Sequence, residues 1–305
     1  MDYKKIIKSR EIRLFILKCL SFVPDKWMIQ LQYRIKTGRK LNLKNPQRYT
    51  EKLQWYKLYY KNPLMIQCVD KYDVRAYVES KGLGYILNEC YGVFDRVEDI
   101  DFDALPDQFV LKDTLGSGGN SVILVKDKSE MDLDAVKLQL RKWVNENHRI
   151  RSGGREWPYY SGKKHRIIIE KYLAQSDGDL PDYKFFCFNG KVECVYFMRN
   201  YTKNHECGEL GFFDKDYNLM NVYRTDFHPI LDQPMKPLNY EMMLQAAESL
   251  SRDFPHVRVD FFDLNGKITF GELTFTMASG YLKFEPDEFD FALGKDFVLP
   301  QQLLM

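Results

Sequence analysis

The sequence predicts an α+β protein built from two lobes and preceded by a helical N-terminal region. Up to about residue 62, apolar residues recur at three- and four-residue spacing, which is typical of helices. From residue 166 onward, short apolar strands joined by Asn-Gly turns predominate. Because helices and hairpins occupy separate blocks, an α+β architecture is favoured over a doubly wound parallel sheet. The chain has 305 residues, 45% of them hydrophobic, which is enough for a substantial core.

The first block, residues 1–66, is predicted to be helical, with breaks at Pro24, Pro46 and Pro63. Up to Arg48 it carries thirteen Lys and Arg residues and three acids, whereas the whole chain has a formal net charge of +2. A basic segment of this kind binds anionic lipid or nucleic acid, or is a solvated helix face, and these alternatives stay open here. Its apolar runs fall short of the roughly 20 residues that a membrane span requires.

The six cysteines form no Cys-x-x-Cys pair, and no histidine stands at zinc-finger spacing from them. This pattern predicts reduced thiols rather than disulfides or a structural zinc site. No secretory signal is evident. We therefore expect a cytoplasmic protein. Peripheral contact with the inner face of the membrane, through the basic N-terminus, is a further hypothesis.

The second block, residues 67–173, is predicted to mix helices, short strands and loops. A Gly-rich turn, Gly116–Asn120, separates two of the strands. The loop 151–164 is rich in Gly, Arg and aromatic residues and is expected to be exposed. The predicted helices are Asp70–Lys81 and Asp132–Asn147, and the predicted strands are Tyr91–Phe94, Phe109–Lys112, Ser121–Val125 and Ile167–Tyr172.

The third block, residues 174–305, is predicted to consist mainly of antiparallel strands. Asn189–Gly190 and Asn265–Gly266 are strong signals for hairpin turns between neighbouring strands. A helix is predicted from Asn239 to Asp253. The predicted strands are Lys184–Phe188, Val192–Arg199, Gly211–Phe213, Val257–Leu264 and Ile268–Phe275.

Lys112 ends a predicted strand just before the Gly-rich turn. Backbone N–H groups of such a turn can approach oxyanions closely and the ammonium adds positive charge, a combination that suits polyphosphate. The turn is neither a Walker A loop nor a GxGxxG motif. Taken alone it is a weak signal, because a glycine turn between strands is more often an ordinary hairpin.

Asp260 and Glu272 lie on the two strands that flank Asn265–Gly266. If these strands pair, alternation of side chains can place both carboxylates on one face. A carboxylate on an apolar strand is costly to bury unless it is paired or coordinates a cation, and hard oxygen ligands suit Mg²⁺. The alternative is an ordinary ion pair with Arg258 or Lys267, and the residues alone do not decide between the two.

Three further positions combine charge with apolar neighbours. The strand Ile167–Leu173 turns polar at Glu170, which is typical of a hinge whose backbone meets an adenine edge, with Asp177 placed to reach ribose hydroxyls. By itself this is only a buried strand leaving the core. Lys184 enters another apolar strand and Lys71 opens a helix, and singly each is more simply a surface residue.

The order of these elements resembles the ATP-grasp layout, although no single element decides the case. More narrowly, the chain resembles the TupA-like ATP-grasp family, named for teichuronopeptide synthesis, from roughly Tyr49 to the C-terminus. The matching stretches are Tyr49–Trp55, Asp70–Tyr72 with Arg75, Leu111–Lys112, Asp182–Gly190, Asp260–Phe261 and Gly271–Thr274.

The resemblance implies an ATP-grasp fold, in which two α+β lobes clasp ATP between antiparallel sheets. It implies that lysines contact the phosphates, that the Gly-rich loop closes over them, and that Glu170 with the following backbone holds adenine. The residues implied to bind ATP are Lys71, Lys112, Gly116, Ser117, Gly118, Gly119, Asn120, Glu170, Lys171, Leu173, Asp177 and Lys184.

By the same resemblance, Asp260, Glu272 and Thr274 would hold Mg²⁺. Arg258 would be catalytic together with Lys184 and would stabilise an acyl phosphate or tetrahedral oxyanion. Thr274 departs from the Asn often found at its position and supplies a weaker neutral oxygen, so one of two Mg²⁺ ions would be held less tightly. A further match, of Ser279–Gly280 to substrate binding, is looser.

The activity implied is ATP-dependent ligation of a carboxylate, such as a sugar uronate or glycan, to an amine, such as an amino acid. Surface polysaccharide synthesis is the implied setting, and no nucleic-acid partner is expected. The alternative is a glycosyltransferase of polysaccharide synthesis, for which Asp-x-Asp triplets such as Asp101–Asp103 are a chance-prone signal. A membrane-surface scaffold would leave the charged residues within apolar strands unexplained.

Overall fold

The structure is a computed structural model that describes residues 9–116, 121–147, 150–151, 153–173, 178–202 and 207–300. Eight helices lie in this part of the chain: α1 (Arg10–Cys19), α2 (Asp25–Thr37), α3 (Tyr49–Tyr59), α4 (Pro63–Cys68), α5 (Val74–Ser80), α6 (Leu133–Val144), α7 (Tyr240–Ser251) and α8 (Glu288–Asp296). Among these described residues, no helix has the length and apolar character needed to cross a membrane.

The helices of the N-terminal region begin and end at residues that favour a helix terminus. Ser9 caps α1, since its hydroxyl accepts a hydrogen bond from the N–H of Ile12. Pro24 precedes α2, and Gly38 ends it in a left-handed conformation at φ +78°. Pro63 is the first residue of α4, where its missing N–H costs nothing. The predicted breaks at Pro24 and Pro63 therefore coincide with helix boundaries.

Twelve strands form three sheets in the described residues. The strands are β1 (Cys90–Phe94), β2 (Phe109–Asp113), β3 (Val122–Val125), β4 (Ile167–Lys171), β5 (Asp182–Phe188), β6 (Lys191–Arg199), β7 (Glu209–Asp214), β8 (Tyr223–Arg224), β9 (His228–Pro229), β10 (His256–Leu264), β11 (Lys267–Thr274) and β12 (Phe284–Glu285). The four-stranded sheet has the order β1-β4-β2-β3, the six-stranded sheet has the order β11-β10-β5-β6-β7-β9, and β12 pairs with β8.

Antiparallel pairing dominates both large sheets, and β7 and β9 form a short parallel pair. In the two predicted hairpin turns, both central residues have positive φ: 50° and 80° at Asn189–Gly190, and 52° and 84° at Asn265–Gly266. These angles match the type I′ turn, whose twist fits the flanking strands. The α+β architecture with two antiparallel sheets is confirmed.

Two cores lie against the sheets. One face of the four-stranded sheet packs against α6 through Leu140 and Trp143. The larger core joins the six-stranded sheet to α7 and also includes Tyr49 and Tyr56 of α3. The hydroxyl of Tyr49 donates to Nε2 of His256 at 2.9 Å, which ties α3 to β10. The division of the chain at residues 66 and 173 stays a prediction.

Two predicted segments differ from the structure. The helix predicted from Asp70 begins at Val74, because the Asp70 carboxylate accepts the backbone N–H groups of Tyr72 and Asp73 and holds a turn there. The loop 151–164 is not an exposed loop throughout. Arg155 within it is only 1% exposed, since its guanidinium donates to the carbonyls of Leu20, Ser21 and Val23 and thereby fixes the α1–α2 connection.

Candidate active site

Five of the predicted site residues meet on one face of the six-stranded sheet. Asp260 on β10 stands opposite Glu272 on β11 and opposite Lys184 on β5. Arg258, two residues earlier on β10, stands opposite Thr274. Directly opposed residues of antiparallel strands project to the same face, so the strand register itself assembles this cluster.

The guanidinium of Arg258 lies at the centre of the cluster. Its Nε and Nη2 donate to the two oxygens of Asp260 at 2.7 and 2.6 Å. The same Nη2 also donates to Glu272 Oε1 at 3.1 Å and to Thr274 Oγ1 at 3.0 Å. Nη1 donates to the hydroxyl of Tyr196 at 3.2 Å. Thus the three residues predicted to hold Mg²⁺ converge on one nitrogen of an arginine.

This convergence bears on both readings left open by the sequence. The carboxylates do form ion pairs with Arg258, as the simpler alternative expected, whereas Lys267 lies opposite Leu264 at the far end of the hairpin. Hard oxygens that surround a cationic nitrogen also fit the donor chemistry of Mg²⁺. Within the described ranges no three His, Cys, Asp or Glu side chains are grouped to bind a metal. A Mg²⁺ ion here would therefore rely on Asp260, Glu272 and Thr274 after Arg258 moves.

Lys184 carries the second positive charge of the cluster. Its ammonium lies 2.6 Å from Asp260 Oδ2 and 2.5 Å from Asp182 Oδ2, and only 12% of its side chain is exposed. Burial disfavours this ammonium, but Asp182 and Asp260 outweigh it and raise the pKa of Lys184 above its usual range. Asp182 Oδ1 is buried without a hydrogen-bond partner among the described residues. Burial raises the pKa of Asp182 to about 6, although Lys184 opposes the shift.

Glu272 is the most accessible member of the cluster, with 47% of its side chain exposed. Desolvation disfavours its charge, but the nearby cations Arg258, Lys184 and Lys71 prevail and lower the pKa of Glu272 to about 2. Glu272 is consequently an ionised, accessible carboxylate at neutral pH. Its position suits contact with a cationic ligand that enters from solvent.

Lys71 and Lys112 lie at the four-stranded sheet. The Lys112 ammonium pairs with Glu170 Oε2 at 2.6 Å, and Arg75 reaches the other oxygen of Glu170 at 3.5 Å. The Lys71 ammonium donates to the carbonyl of Gly116. Burial lowers the pKa of Lys71, and Glu272 is the largest of the charges that oppose this shift. Lys71 and Glu272 thus influence each other's pKa, which links a lysine beside the four-stranded sheet to a carboxylate of the six-stranded sheet.

The predicted adenine hinge is partly occupied by the protein's own groups. The Glu170 carboxylate is 10% exposed and is held by Lys112 and Arg75. The N–H of Lys171 donates to the carbonyl of Glu89 at 2.9 Å, and its carbonyl accepts from the Asn88 side chain at 2.9 Å. Leu173 is half-buried two residues after β4 ends. Contact between adenine and the Lys171 backbone would require the 88–89 segment to shift.

The Gly-rich turn is described only at its first residue. A Cβ added to Gly116 would stand 2.5 Å from Cβ of Ser121, so only glycine fits where the turn closes. Ser117, Gly118, Gly119 and Asn120 lie outside the described residues, as does Asp177, the predicted ribose ligand.

Ser279–Gly280, the looser match to a substrate site, lies in a strained turn. Ala278 and Ser279 both have positive φ, 45° and 55°. The ammonium of Lys57 donates to the carbonyl of Ser279 at 2.8 Å, and Gln54 donates to the carbonyls of Ser279 and Gly280. Burial lowers the pKa of Lys57 to about 7. No pattern in the sequence singles out Lys57, because it is one of several polar residues on a helix.

Two other residues of the cluster were not predicted. Asp182 stands two positions before Lys184, so strand alternation alone would have placed it on the same face. Tyr196 carries no signal in the sequence, because its role depends on β6 lying beside β5. Arg75 was noted only within the family match, and its contact with Glu170 joins α5 to the four-stranded sheet.

Most of the chain matches a known family: the family described as TupA-like ATPgrasp covers residues 51–298. No match was found among curated proteins. Similar solved structures include the D-alanine–D-alanine ligase from Bacillus anthracis, with 18% identity over 76% of this chain and 64% of that chain and a TM-score of 0.44. The D-alanine–D-alanine ligase from Helicobacter pylori has 13% identity, 82% and 68% coverage, and a TM-score of 0.45.

The L-amino acid ligase from Bacillus licheniformis has 15% identity over 72% of this chain and 43% of that chain, with a TM-score of 0.40. The chain therefore spans less than two thirds of the length of the first and third of these ligases.

Proposed function

The chain belongs to the TupA-like ATP-grasp family, whose members are ATP-dependent ligases that use Mg²⁺, and we propose that it joins a carboxylate to an amine through an acyl phosphate. One observation carries the proposal: Lys71, beside the four-stranded sheet, and Glu272, in the cluster of the six-stranded sheet, shift each other's pKa, so charges borne by the two sheets lie within electrostatic reach of each other. Lys71 and Lys112 belong to the side of the four-stranded sheet, and Lys184 and Arg258 to the six-stranded sheet. This set of cations and carboxylates matches the charges of ATP together with Mg²⁺.

ATP would lie between the two sheets. We assign Lys71, Lys112 and Lys184 to its phosphates, with Gly116 at the base of the loop that includes Ser117, Gly118, Gly119 and Asn120. Glu170, Lys171, Leu173 and Asp177 are assigned to the nucleoside. Each lysine now has a carboxylate or carbonyl partner, so phosphate would replace existing contacts of Lys112 with Glu170 and of Lys184 with Asp260.

Asp260, Glu272 and Thr274 would hold Mg²⁺, which neutralises phosphate charge and polarises the transferred phosphoryl group when bound. In this assignment Arg258 leaves the carboxylates and turns its planar donors toward the substrate. There it would stabilise the negative charge on the acyl phosphate and on the tetrahedral oxyanion formed when the amine attacks. Tyr196 would keep one edge of the guanidinium in place. No residue needs to form a covalent intermediate, since positioning and charge supply the catalysis.

We propose surface polysaccharide synthesis as the setting, with a sugar uronate or glycan carboxylate and an amino acid amine as substrates. The resemblance to a family named for teichuronopeptide synthesis supports this setting, and no described residue selects a particular substrate. The basic N-terminal region suits work on a lipid-linked glycan at the inner face of the membrane.

Thermal unfolding separates the ligase from a glycosyltransferase. We expect ATP with Mg²⁺ to raise the melting temperature and nucleotide sugars to leave it unchanged. The opposite preference would contradict the ligase assignment. ADP release with pools of carboxylates and amines then identifies the substrates.

Lys112→Met and Glu272→Gln test the part of the proposed site that each large sheet contributes. Each is expected to reduce ADP release by at least about a hundredfold, because a charge that acts on the transferring phosphoryl group is lost. Lys126→Met is the matched control, since Lys126 is an exposed lysine just beyond β3. ADP release by both site variants at the rate of the control would remove these residues from the site.

A further inference from the structure

Exposed apolar side chains are concentrated in the N-terminal helices. Seven of the 17 large hydrophobic residues exposed in the described ranges lie between residues 12 and 35. These seven are Ile12, Phe15, Ile16, Phe22, Trp27, Leu31 and Ile35. Single exposed hydrophobic residues are normal on a protein surface, but a concentration of this size marks an interaction site.

On α2 the exposed apolar residues form one row. Trp27 is 72% exposed, Leu31 53% and Ile35 43%, and their four-residue spacing places them on one side of the helix. The other side of α2 is buried against the body of the protein through Met28, Ile29, Gln32 and Tyr33. Helix α2 thus has two apolar faces, and only one of them packs against other described residues.

Helix α1 and the turn after it add to this surface. Ile12, Phe15 and Ile16 are exposed at three- and four-residue spacing. Phe22 in the following turn is 77% exposed. Leu17 is half-buried instead, and a Cβ added at Gly153 would stand 3.2 Å from its Cδ1, which shows which side of α1 faces the body.

Exposed cations border the apolar rows. Lys26 and Arg34 precede Trp27 and Ile35 by one residue, so they form a parallel row beside the apolar row of α2. Lys18 is exposed on α1. Asp25, an acid at the start of α2, is engaged by Arg155 and by the hydroxyl of Tyr160. The surface therefore combines exposed aromatic and aliphatic groups with exposed positive charge.

We propose that the outer faces of α1 and α2 form a membrane-docking surface that inserts Phe15, Phe22, Trp27 and Leu31 into the interface of an anionic lipid bilayer. Apolar residues with flanking Lys and Arg are the pattern of helices that lie in the plane of the interface. This docking surface rests on the proposed membrane contact of the basic N-terminus and adds the apolar residues that would enter the bilayer. Vesicle binding tests it without depending on ligase activity.

Charge argues against the other occupants. A second copy of the chain docked on the same surface would bring identical rows of Lys and Arg together. Nucleic acid would match the cations but would leave the apolar rows in water. An anionic bilayer satisfies both, because headgroups meet the cations while the acyl region takes the apolar side chains.

The docking surface is rigidly joined to the catalytic body. Gln32 on the inner side of α2 donates to the carbonyl of Gly153 at 2.8 Å, and Arg155 holds the α1–α2 connection through three carbonyls. The same loop continues to Gly154, whose carbonyl accepts from Lys57 beside Ser279. Membrane binding would consequently fix the orientation of the Ser279 side of the protein relative to the bilayer.

The test is binding of the full-length protein to sedimenting vesicles of phosphatidylcholine, with and without phosphatidylglycerol. Trp27→Ser with Leu31→Ser is expected to weaken binding to the anionic vesicles by at least about tenfold, through loss of apolar insertion. Lys26→Gln with Arg34→Gln is expected to weaken it by about 30-fold, through loss of two cations near the anionic surface. Leu231→Ser with Leu238→Ser is the matched control, since these leucines are 76% and 98% exposed elsewhere and should not matter.

Tryptophan fluorescence gives a second readout. The chain has four tryptophans, of which Trp55 and Trp143 are buried and Trp157 is half-buried. A blue shift on addition of anionic vesicles, absent in Trp27→Phe, would therefore place Trp27 in the bilayer interface. Absence of binding by the unaltered protein, or equal binding by the Trp27→Ser, Leu31→Ser variant, overturns the proposal. So does a dimer in light scattering that this variant abolishes, which would assign the surface to self-association. Protection of the same variant by ATP with Mg²⁺ reports separately on the proposed ligase site.

Discussion

Lys184→Met tests whether the charge cluster of the six-stranded sheet is as tightly interdependent as its geometry indicates. Lys184 lies 2.5 Å from Asp182 and 2.6 Å from Asp260, and the three side chains are 12%, 17% and 1% exposed. Removing one partner from a buried ion pair costs about 3–5 kcal/mol, because the remaining charge is left without compensation. Asp260 keeps Arg258, so the residue left uncompensated is Asp182. We expect this loss in the free energy of unfolding near neutral pH.

The pH dependence of the loss identifies its cause. The pKa of Asp182 is about 6 in the folded protein, above its ordinary value of 3.8, so the folded state binds a proton more tightly than the unfolded state. The resulting stabilisation is present at low pH and is lost as the pH rises through the folded pKa. Without Lys184 that pKa rises further. The cost of Lys184→Met should therefore be larger at about pH 8 than at about pH 5.

Urea unfolding followed by tryptophan fluorescence measures both quantities. Lys236→Met is the matched control: its ammonium lies 2.7 Å from Glu241, but the two side chains are 41% and 69% exposed. An exposed pair of this kind is worth at most about 1 kcal/mol. Adding Asp182→Asn to Lys184→Met should restore at least half of the lost stability. A loss below about 1 kcal/mol near pH 8, or a double variant no more stable than the single one, would refute the reasoning.

Two further predictions concern the core around α3. Gly294→Ala should destabilise the protein by about 2 kcal/mol or more in the same unfolding assay, although alanine favours helices, because its Cβ would overlap the carbonyl of Gln47 and stand 2.8 Å from the nitrogen of Tyr49. Gly84→Ala is the neutral control, because its Cβ would meet only Cγ of Glu79, at an ordinary contact distance of 3.4 Å, and equal effects would contradict the close approach at Gly294. Burial lowers the pKa of His256 to about 3 from 6.5, so the unfolded state binds the extra proton and stability should fall by up to about 1.4 kcal/mol per pH unit below about pH 6.5. The urea midpoint should fall less steeply with decreasing pH in His256→Gln than in the unaltered protein, measured between neutral and mildly acidic pH. An identical pH dependence in the two proteins would contradict this assignment.

Local chemistry explains why much of the six-stranded sheet was predictable. Asn-Gly pairs demand positive φ at both central residues, so the turns at residues 189–190 and 265–266 follow from the sequence. Once the second turn is fixed, alternation places Asp260 and Glu272 on one face. The opposition of Asp260 to Lys184 was less accessible, since it requires β10 to pair with β5 across more than seventy intervening residues.

Non-local pairing also limited what could be said about the four-stranded sheet. Lys112 meets Glu170 only because β4 inserts between β1 and β2, an order that no local pattern specifies. The sequence therefore assigned Lys112 to phosphate and Glu170 to adenine as separate signals. Arg155 was misjudged for a similar reason: its carbonyl partners belong to the turn after α1, more than a hundred residues earlier.

The ion pairs of the candidate site and the proposed ligands make compatible demands. The carboxylates of the site are paired with cations of the protein: Asp260 and Glu272 with Arg258, Asp182 with Lys184, and Glu170 with Lys112. Phosphate alone would compete with these carboxylates for the cations, and Mg²⁺ alone would compete with Arg258 for the carboxylates. If both bind, the phosphates would pair with the cations that the carboxylates release, and Mg²⁺ would pair with the carboxylates that Arg258 releases. No buried charge would then be left unpaired. In the proposed assignment, joint binding of ATP and Mg²⁺ would be favoured over binding of either one, and it would free Arg258 to meet the substrate oxyanion.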